Sequence, residues 1–188
     1  LVYGFKNKIS KEEFKKAIEE NTLLDVLNTV KVKKGDLFFI EAGTVHAIGK
    51  GVLIAEIQQN SNSTYRVYDY GRIGKDGKPR ELHIKKAVDV SVTEPPKYDI
   101  KPMGETVKAD GYDSTLLTKC DLFTVNHYDV NKKLTLETDE KSFNHILVIN
   151  GKGNINEKEL NKGDSFFVPA GYGKYEIAGN CEIIVTNI

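Results

Sequence analysis

The sequence has no long apolar run, no excess of charge and very little cysteine. No stretch approaches the roughly 20 apolar residues of a membrane span, and 27 basic side chains balance 27 acidic ones among 188 residues. We therefore expect no membrane partner and no nucleic acid held by bulk charge. Two cysteines, Cys120 and Cys181, are too few for a disulfide framework and predict reduced thiols in a cytoplasmic protein.

Arginine is scarce as well. Arg66, Arg72 and Arg80 are the only arginines, and lysine supplies the remaining basic residues. The planar guanidinium of arginine can contact two oxygens at once and stays charged when it is desolvated, whereas the lysine ammonium is a point charge. Each arginine is therefore a candidate for a role that lysine could not fill.

Hydrophobic patterning divides the chain into two parts, 1–94 and 105–188. The stretch between them contains several prolines and cannot form regular structure. The chain changes early from a helical to a strand period, so we expect a mainly β fold, with helices confined mainly to 11–29 and 82–90. Strands of the first part are predicted at 37–40, 52–58 and 65–70.

A capping box marks the start of the first helix. The Ser10 hydroxyl can accept a hydrogen bond from the amide of Glu13, and the Glu13 carboxylate can accept one from the amide of Ser10. Phe14, Ala17 and Ile18 then share one helical face, which is predicted to be buried.

A nine-residue repeat links the two parts. Residues 35–43, GDLFFIEAG, align with residues 163–171, GDSFFVPAG, and seven of nine positions are identical or both apolar. Both copies resemble the second motif of the cupin barrel, a strand pair that closes on a metal-binding histidine. The closing position holds His46 in the first copy and Lys174 in the second. The resemblance implies two cupin-like double-stranded antiparallel barrels, with a short helical segment near the N-terminus, although Gly-Asp strands recur in other β proteins.

The region around the first copy is similar to the type I mannose-6-phosphate isomerases. Residues 43–61 and 64–72 carry an ungapped match, and flanking segments extend it over the whole chain. In the family, an N-terminal segment supplies metal ligands from a Gln-x-His-Pro motif and a glutamate, and this sequence contains no Gln-x-His. We therefore expect the chain to be the C-terminal portion of such an enzyme, with the missing N-terminal segment as its partner.

The resemblance implies the interconversion of mannose 6-phosphate and fructose 6-phosphate through an enediolate, with one zinc ion in each complete site. It identifies His46 as a zinc ligand and Arg66 as the catalytic arginine. Because negative oxygens develop in an enediolate, this chemistry requires a Lewis acid and a fixed positive charge. Outside this motif, a single histidine is more often structural, and an arginine is more often part of a surface ion pair.

Further residues are candidates for contact with the sugar phosphate. Arg72 could hold the phosphate, or it could lie at a solvated strand end. Glu56 shares a predicted strand face with Gln58 and could line the sugar pocket or face water, and Lys85 lies in the predicted second helical stretch. The other histidines fit no ligand pattern and are expected to be structural or at the surface: His83, His127 and His145.

Two other classes of protein are compatible with the sequence: a non-catalytic cupin-like sugar-binding or regulatory module, and a metal-dependent cupin such as an epimerase or dioxygenase. The ungapped segment from His46 to Arg66 favours the isomerase, because neither alternative needs that arginine at that spacing. For the chain by itself we expect no stoichiometric zinc, no isomerase activity, and self-association. One imidazole cannot hold the ion, and an incomplete first barrel would expose strand edges.

Overall fold

The structure is a computed structural model that describes residues 1–188, and it divides into two compact units, Leu1–Ile100 and Lys101–Ile188. Strands predominate, and every pair of strands is antiparallel. The predicted mainly β fold is confirmed. Only the first unit contains helices, and none of the three has the length and apolar character that a membrane crossing requires.

The first unit combines a small sheet with three short helices. Its elements are β1 (Val2–Phe5), α1 (Lys11–Glu19), α2 (Leu23–Val26), β2 (Leu27–Thr29), β3 (His46–Ala47) and α3 (Ile84–Val90). The sheet has the order β2-β1-β3, so β1 is its central strand. The helices lie within 11–29 and 82–90, as predicted from the sequence.

Helix α1 begins at the capping box that the sequence predicts. The Glu13 amide donates to the Ser10 hydroxyl at 3.1 Å, and the Ser10 amide donates to the Glu13 carboxylate at 2.7 Å. Phe14 and Ile18 are buried, and the Phe14 ring meets the Phe5 ring edge-on at a centroid distance of 5.1 Å. Local hydrogen bonds and the core of the unit therefore both stabilise this helix.

Lys11 connects α1 to the end of α3. Its Nζ donates to the carbonyl oxygen of Val88 at 2.6 Å and also to that of Ser91. The last carbonyl groups of a helix have no partner within the helix, and a positive charge near them is favourable. Lys11 therefore satisfies carbonyl groups that would otherwise depend on water.

The strands predicted between α2 and α3 are not formed. Residues 37–40, 52–58 and 65–70 have no regular secondary structure, and the first unit contains a three-stranded sheet instead of a barrel. These segments have the side-chain pattern of strands, but a strand also needs a neighbour for its backbone hydrogen bonds. No strand of the chain pairs with them, and Leu53 is 92% exposed. A barrel in this unit is therefore not confirmed.

The second unit is an eight-stranded antiparallel sheet. Its strands are β4 (Val107–Ala109), β5 (Tyr112–Lys119), β6 (Thr124–Val130), β7 (Lys133–Thr138), β8 (Asn144–Ile155), β9 (Lys158–Asn161), β10 (Ser165–Val168) and β11 (Gly173–Asn187). The order is β10-β8-β11-β6-β5-β4, while β7 pairs with β11 and β9 pairs with β8. Buried side chains from β6 to β11 form one apolar core.

Strand β11 pairs with three other strands. Its residues 173–178 pair with β7, 177–186 with β8 and 181–187 with β6. The register with β8 shifts between Glu182 and Ile183, and such a bulge bends a strand and increases its twist. A single strand thus joins β6, β7 and β8 around the core.

Two glycines allow β8 and β11 to approach each other closely. Gly153 and Gly179 are register partners in this pair. A Cβ atom on Gly153 would lie 2.3 Å from the carbonyl oxygen of Ala178, well inside van der Waals contact. The pairing of these strands therefore requires a residue without a side chain at position 153.

Candidate active site

The His46 side chain is oriented by a backbone carbonyl group. His46 lies in β3 opposite Tyr3 of β1, and its Nδ1 is 2.9 Å from the carbonyl oxygen of Thr44. Because a carbonyl group only accepts hydrogen bonds, this contact places a proton on Nδ1, so in the neutral ring the lone pair is on Nε2. Metal-binding histidines are usually oriented by such a second partner. His46 is exposed, so its Nε2 is accessible to a ligand.

The turn before His46 depends on Gly43. This glycine has a φ of +87°, and a Cβ atom at this position would lie 2.7 Å from the carbonyl oxygen of Val90. The Val92 amide donates to the Gly43 carbonyl at 2.9 Å. The chain that follows α3 therefore fixes the loop that carries His46.

The chain contains no group of three or more His, Cys, Asp or Glu side chains arranged to hold a metal ion. A zinc site takes three or four protein ligands in tetrahedral geometry. The orientation of His46 fits one such ligand, but the residues of this chain do not fit a complete zinc site.

Arg66 is fixed through its backbone and its side chain. Its amide donates to Nδ1 of His83 at 3.0 Å, and the His83 amide donates to the Arg66 carbonyl at 2.7 Å. The guanidinium Nη1 donates to the carbonyl oxygen of Glu81 at 3.1 Å. With 24% of its side chain exposed, Arg66 is a half-buried positive charge held in place before any ligand binds, which favours electrostatic catalysis.

Asp69 and Arg80 form a bidentate ion pair beside Arg66. Arg80 donates from Nε to Oδ2 of Asp69 at 2.7 Å, and from Nη2 to Oδ1. The Nε of Arg66 lies 3.8 Å from the same Oδ1. The hydrogen bonds from Arg80 hold the pKa of Asp69 below its usual range, and the charges of Arg66 and Arg72 act in the same direction. Asp69 is therefore ionised at neutral pH.

Arg72 closes the turn that follows Asp69. Its amide donates to the Asp69 carbonyl at 3.0 Å, and its Cζ lies 5.7 Å from the centroid of the Tyr70 ring. This distance is typical of a cation–π contact. We call Arg66, Asp69, Arg72 and Arg80 the arginine cluster.

The other candidates from the sequence lie apart from the arginine cluster. Glu56 is in an exposed irregular segment, so the strand face predicted for it is not formed, and Lys85 is exposed at the start of α3. No hydrogen bond, ion pair or ring contact joins His46, Glu56 or Lys85 to the cluster. The structure therefore brings together Arg66 and Arg72 and leaves the other three separate.

The histidines outside the ligand pattern have other neighbours. His83 bonds to the Arg66 backbone, as described above. The His145 ring lies 2.7 Å from the Ser165 hydroxyl, and His127 lies 3.8 Å from the Glu182 carboxylate. None of these contacts brings a second possible metal ligand to His46.

Sequence reasoning did not assign a role to Asp69 or Arg80. The available signal was three arginines within residues 66–80 of a lysine-rich chain, with Asp69 between the first two. The spacing alone does not show which acidic residue meets which arginine, because that depends on the path of the loop that returns residue 80 to residue 69.

The whole length of the chain resembles parts of known proteins. Residues 113–188 match the family model of the mannose-6-phosphate isomerase cupin domain. The chain is 38% identical to mannose-6-phosphate isomerase ManA of Bacillus subtilis and 32% identical to a mannose-6-phosphate isomerase of Streptococcus mutans. It matches the crystal structure of the mannose 6-phosphate isomerase from Bacillus subtilis with a TM-score of 0.87 at 36% identity. All of the chain is covered in each case, but it spans only 60%, 59% and 60% of these proteins, respectively.

These matches and the antiparallel architecture define the chain as a cupin-type protein, which confirms the mainly β cupin fold predicted from the sequence, whereas the two separate barrels stay a prediction. Within that class the chain is similar over its whole length to mannose-6-phosphate isomerases, and it corresponds to their C-terminal portion.

Proposed function

We propose that the intact gene product containing this chain interconverts mannose 6-phosphate and fructose 6-phosphate. The observation that carries the proposal is the Arg66 guanidinium, which is half-buried and held by both its backbone and its side chain. The similarity of the whole chain to mannose-6-phosphate isomerases supports the same activity.

Arg66 is proposed to stabilise the charge that develops during the reaction. An aldose–ketose isomerisation moves a proton between adjacent carbons and places negative charge on the enediolate oxygens. A guanidinium offers these oxygens a fixed positive charge and several directed N–H donors. It does not itself move the proton, because arginine stays protonated at neutral pH.

His46 is proposed as one ligand of a zinc ion, through its Nε2 atom. Zinc acts as a Lewis acid on substrate oxygens when it is bound. The orientation of the ring by the Thr44 carbonyl supports this role. We expect the other ligands outside residues 1–188, because these residues provide no set of three.

Three further residues are proposed to contact the sugar phosphate. Arg72 is assigned to the phosphate group, because its guanidinium is exposed while its backbone is bonded to Asp69. Glu56 and Lys85 are assigned to the sugar hydroxyls or the phosphate, and the only structural support is that both are exposed polar side chains of the first unit.

The unpaired segments of the first unit support a protein partner for it. Residues 52–58 have the alternating pattern of a strand, and Leu53 is almost fully exposed. We propose that the part of the isomerase outside the match, which is about 40% of the relatives' length since the chain spans 60%, supplies strands that pair here. Two free thiols, Cys120 and Cys181, support a cytoplasmic location for the whole protein.

A sugar-binding module without catalysis has less support. The core of the second unit is filled by buried apolar side chains of β6 to β11. Lys174, at the position where a cupin metal ligand would lie, is exposed on β11. Neither observation provides polar groups to bind a sugar inside this unit.

A coupled assay with mannose 6-phosphate tests the proposal on the intact gene product beside residues 1–188. We expect turnover and about one zinc per chain for the intact product, and neither for residues 1–188. No turnover by the metal-loaded intact product would contradict the isomerase function. Tightly held zinc and turnover in residues 1–188 would show that ligands outside this chain are not needed.

A further inference from the structure

The side chains of two of the three arginines converge on the carboxylate of one aspartate, and the third arginine is bonded to the same residue through its backbone. Arg80 donates two hydrogen bonds to the Asp69 carboxylate, Arg66 lies 3.8 Å from it, and the Arg72 amide donates to the Asp69 carbonyl. Every other basic residue apart from the histidines is a lysine. The convergence of Arg66 and Arg80 therefore indicates a shared role, because a bidentate contact with a carboxylate requires a guanidinium and a lysine could not replace it.

The contact with Asp69 directs Arg66 without occupying its donors. A distance of 3.8 Å is too long for a hydrogen bond, so the carboxylate acts on Arg66 by charge. A guanidinium has five N–H donors, and the Arg66 guanidinium uses one of them, on the Glu81 carbonyl. Four donors therefore have no hydrogen-bond partner within the chain, while the group itself is restrained.

Arg80 prevents the Asp69 carboxylate from turning away. Its two hydrogen bonds engage both carboxylate oxygens, and only 11% of the Asp69 side chain is exposed. Arg80 also lies three residues before His83, whose backbone and ring bond to the Arg66 backbone. The Asp69–Arg80 pair and the Arg66–His83 pair therefore hold the same two stretches of chain together.

We propose that Asp69 is a positioning residue which, braced by Arg80, directs the unoccupied N–H donors of Arg66 toward the anionic oxygens of a bound sugar phosphate. This inference rests on the proposed function, because it needs Arg66 to contact the substrate. An asparagine at 69 has one acceptor oxygen and no charge, so it could neither hold Arg80 in a bidentate pair nor separate two like charges. Arg66 would then move, and a displacement of about 1 Å can reduce a rate about 100-fold.

Steady-state kinetics of the intact gene product with mannose 6-phosphate test the proposal. For Asp69→Asn we expect kcat to fall about 10- to 100-fold, with a thermal unfolding transition that is still cooperative. Asp76→Asn is the matched control, because the Asp76 carboxylate accepts from the Lys78 amide at 3.2 Å and contacts no arginine. We expect this control to keep the wild-type kcat.

Making the same substitution in the Arg66→Lys variant separates a positioning role of Asp69 from a general structural role. If Asp69 acts through Arg66, then Asp69→Asn causes no further loss of kcat when Arg66 is already lysine. A structural role would cause the same loss in both backgrounds. Arg80→Gln breaks the Asp69–Arg80 pair at its more exposed partner, because 42% of the Arg80 side chain is accessible. This variant is used for the same test if Asp69→Asn does not fold.

The possible failures are distinguishable. If Arg66→Lys loses turnover while Asp69→Asn and Arg80→Gln keep it, the positioning role is wrong and the proposed function stands. If Arg66→Lys keeps normal turnover, both the catalytic role of Arg66 and the positioning role of Asp69 are wrong. If the wild-type protein has no isomerase activity, the proposed function fails, and this inference fails with it.

Discussion

At the scale of single residues, arginine and lysine are used differently in this chain. Lysine provides most of the positive charge, whereas each guanidinium has a directed contact: Arg80 with a carboxylate, Arg66 with a backbone carbonyl and Arg72 with an aromatic ring. An ammonium group can be attracted to the same partners, but it cannot form the planar two-point contact. Substitution by lysine therefore tests geometry separately from charge.

Replacement of Arg66 by lysine in the intact gene product is the direct test of its catalytic role. We expect kcat to fall by a factor on the order of 100 to 1,000, because charge is kept while the directed donors are lost. Zinc content should not change, since Arg66 is not a possible metal ligand. Steady-state kinetics and metal analysis of the same sample measure both quantities, and near-normal kcat would remove Arg66 from the mechanism.

Tyr175 is expected to make the second unit sensitive to alkaline pH. It is 2% exposed, and burial raises its pKa to about 12, while the hydrogen bond donated by Asn144 at 2.7 Å lowers it. A tyrosine in the unfolded chain has a pKa near 10. The folded pKa is the higher one, so the stabilisation is complete below about pH 10 and is lost as the pH rises toward 12, because the unfolded chain releases its proton first.

We expect the free energy of unfolding to fall by about 2 kcal/mol between pH 10 and pH 12 through this group. Tyr175→Phe should remove that slope and lose about 1 kcal/mol at pH 7, because Asn144 loses an acceptor. Denaturant unfolding at several pH values measures both effects. Tyr172→Phe, at an exposed tyrosine of the same unit, is the control, and an equal slope in wild type and Tyr175→Phe would contradict the prediction.

The sequence predicts individual site residues only where a motif contains them, and their roles stay predictions. His46 and Arg66 were proposed from a local ungapped pattern, and the structure gives both a fixed orientation. Asp69 and Arg80 were not proposed, because their pairing spans 11 residues and depends on a loop whose path no short pattern specifies. Contacts made through an irregular segment are set by the fold around it.

At the scale of elements, helices were predicted better than strands. The capping box and the buried face of α1 are local features, and α1 begins where they indicate. The segments 37–40, 52–58 and 65–70 have a strand pattern but no partner within the chain. A helix satisfies its own backbone, whereas a strand needs a second segment, and a pattern within one segment does not supply it.

Lys11 should contribute to the stability of the first unit through the end of α3. We expect Lys11→Met to lower the free energy of unfolding by about 1 to 2 kcal/mol, because a charged donor to several helix-end carbonyls is lost. Lys15→Met is the matched control on the same helix. The Lys15–Glu19 pair is exposed, with a separation of 3.6 Å, and should contribute less than about 0.5 kcal/mol. Equal losses in the two variants, measured by denaturant unfolding, would contradict a specific role for Lys11.

The close approach of β8 and β11 at Gly153 should not tolerate a side chain at position 153. We expect Gly153→Ala to lower the free energy of unfolding of the second unit by at least about 2 kcal/mol, since the added methyl group meets a backbone carbonyl and not a movable side chain. Gly49→Ala is the control, because a Cβ atom there has no neighbour within 4 Å. Thermal unfolding of both variants tests this, and a stable Gly153→Ala protein would mean that the strands can separate without loss of pairing.

At the scale of the whole molecule, the first unit should cause residues 1–188 to self-associate. Its strand-like segments are unpaired and carry exposed apolar side chains, and such edges favour pairing with another chain. We expect light scattering to show a mass that rises with concentration, and Leu53→Lys to shift the population toward the monomer. Leu122→Lys, at an exposed turn of the second unit, should have a smaller effect. A wild-type chain that stays monomeric at every concentration would contradict this expectation.

The position of β11 along the chain has a consequence for biosynthesis. This strand is translated after β6, β7 and β8, and yet it is the one that pairs with all three. Until residues 173–187 have emerged from the ribosome, β6, β7 and β8 each have an open edge and an uncovered apolar face, so we expect the second unit to complete its fold only after translation of β11. The second unit of a nascent chain should therefore need chaperones for longer than the first unit. Slower translation upstream of β11 should lower the yield of folded protein.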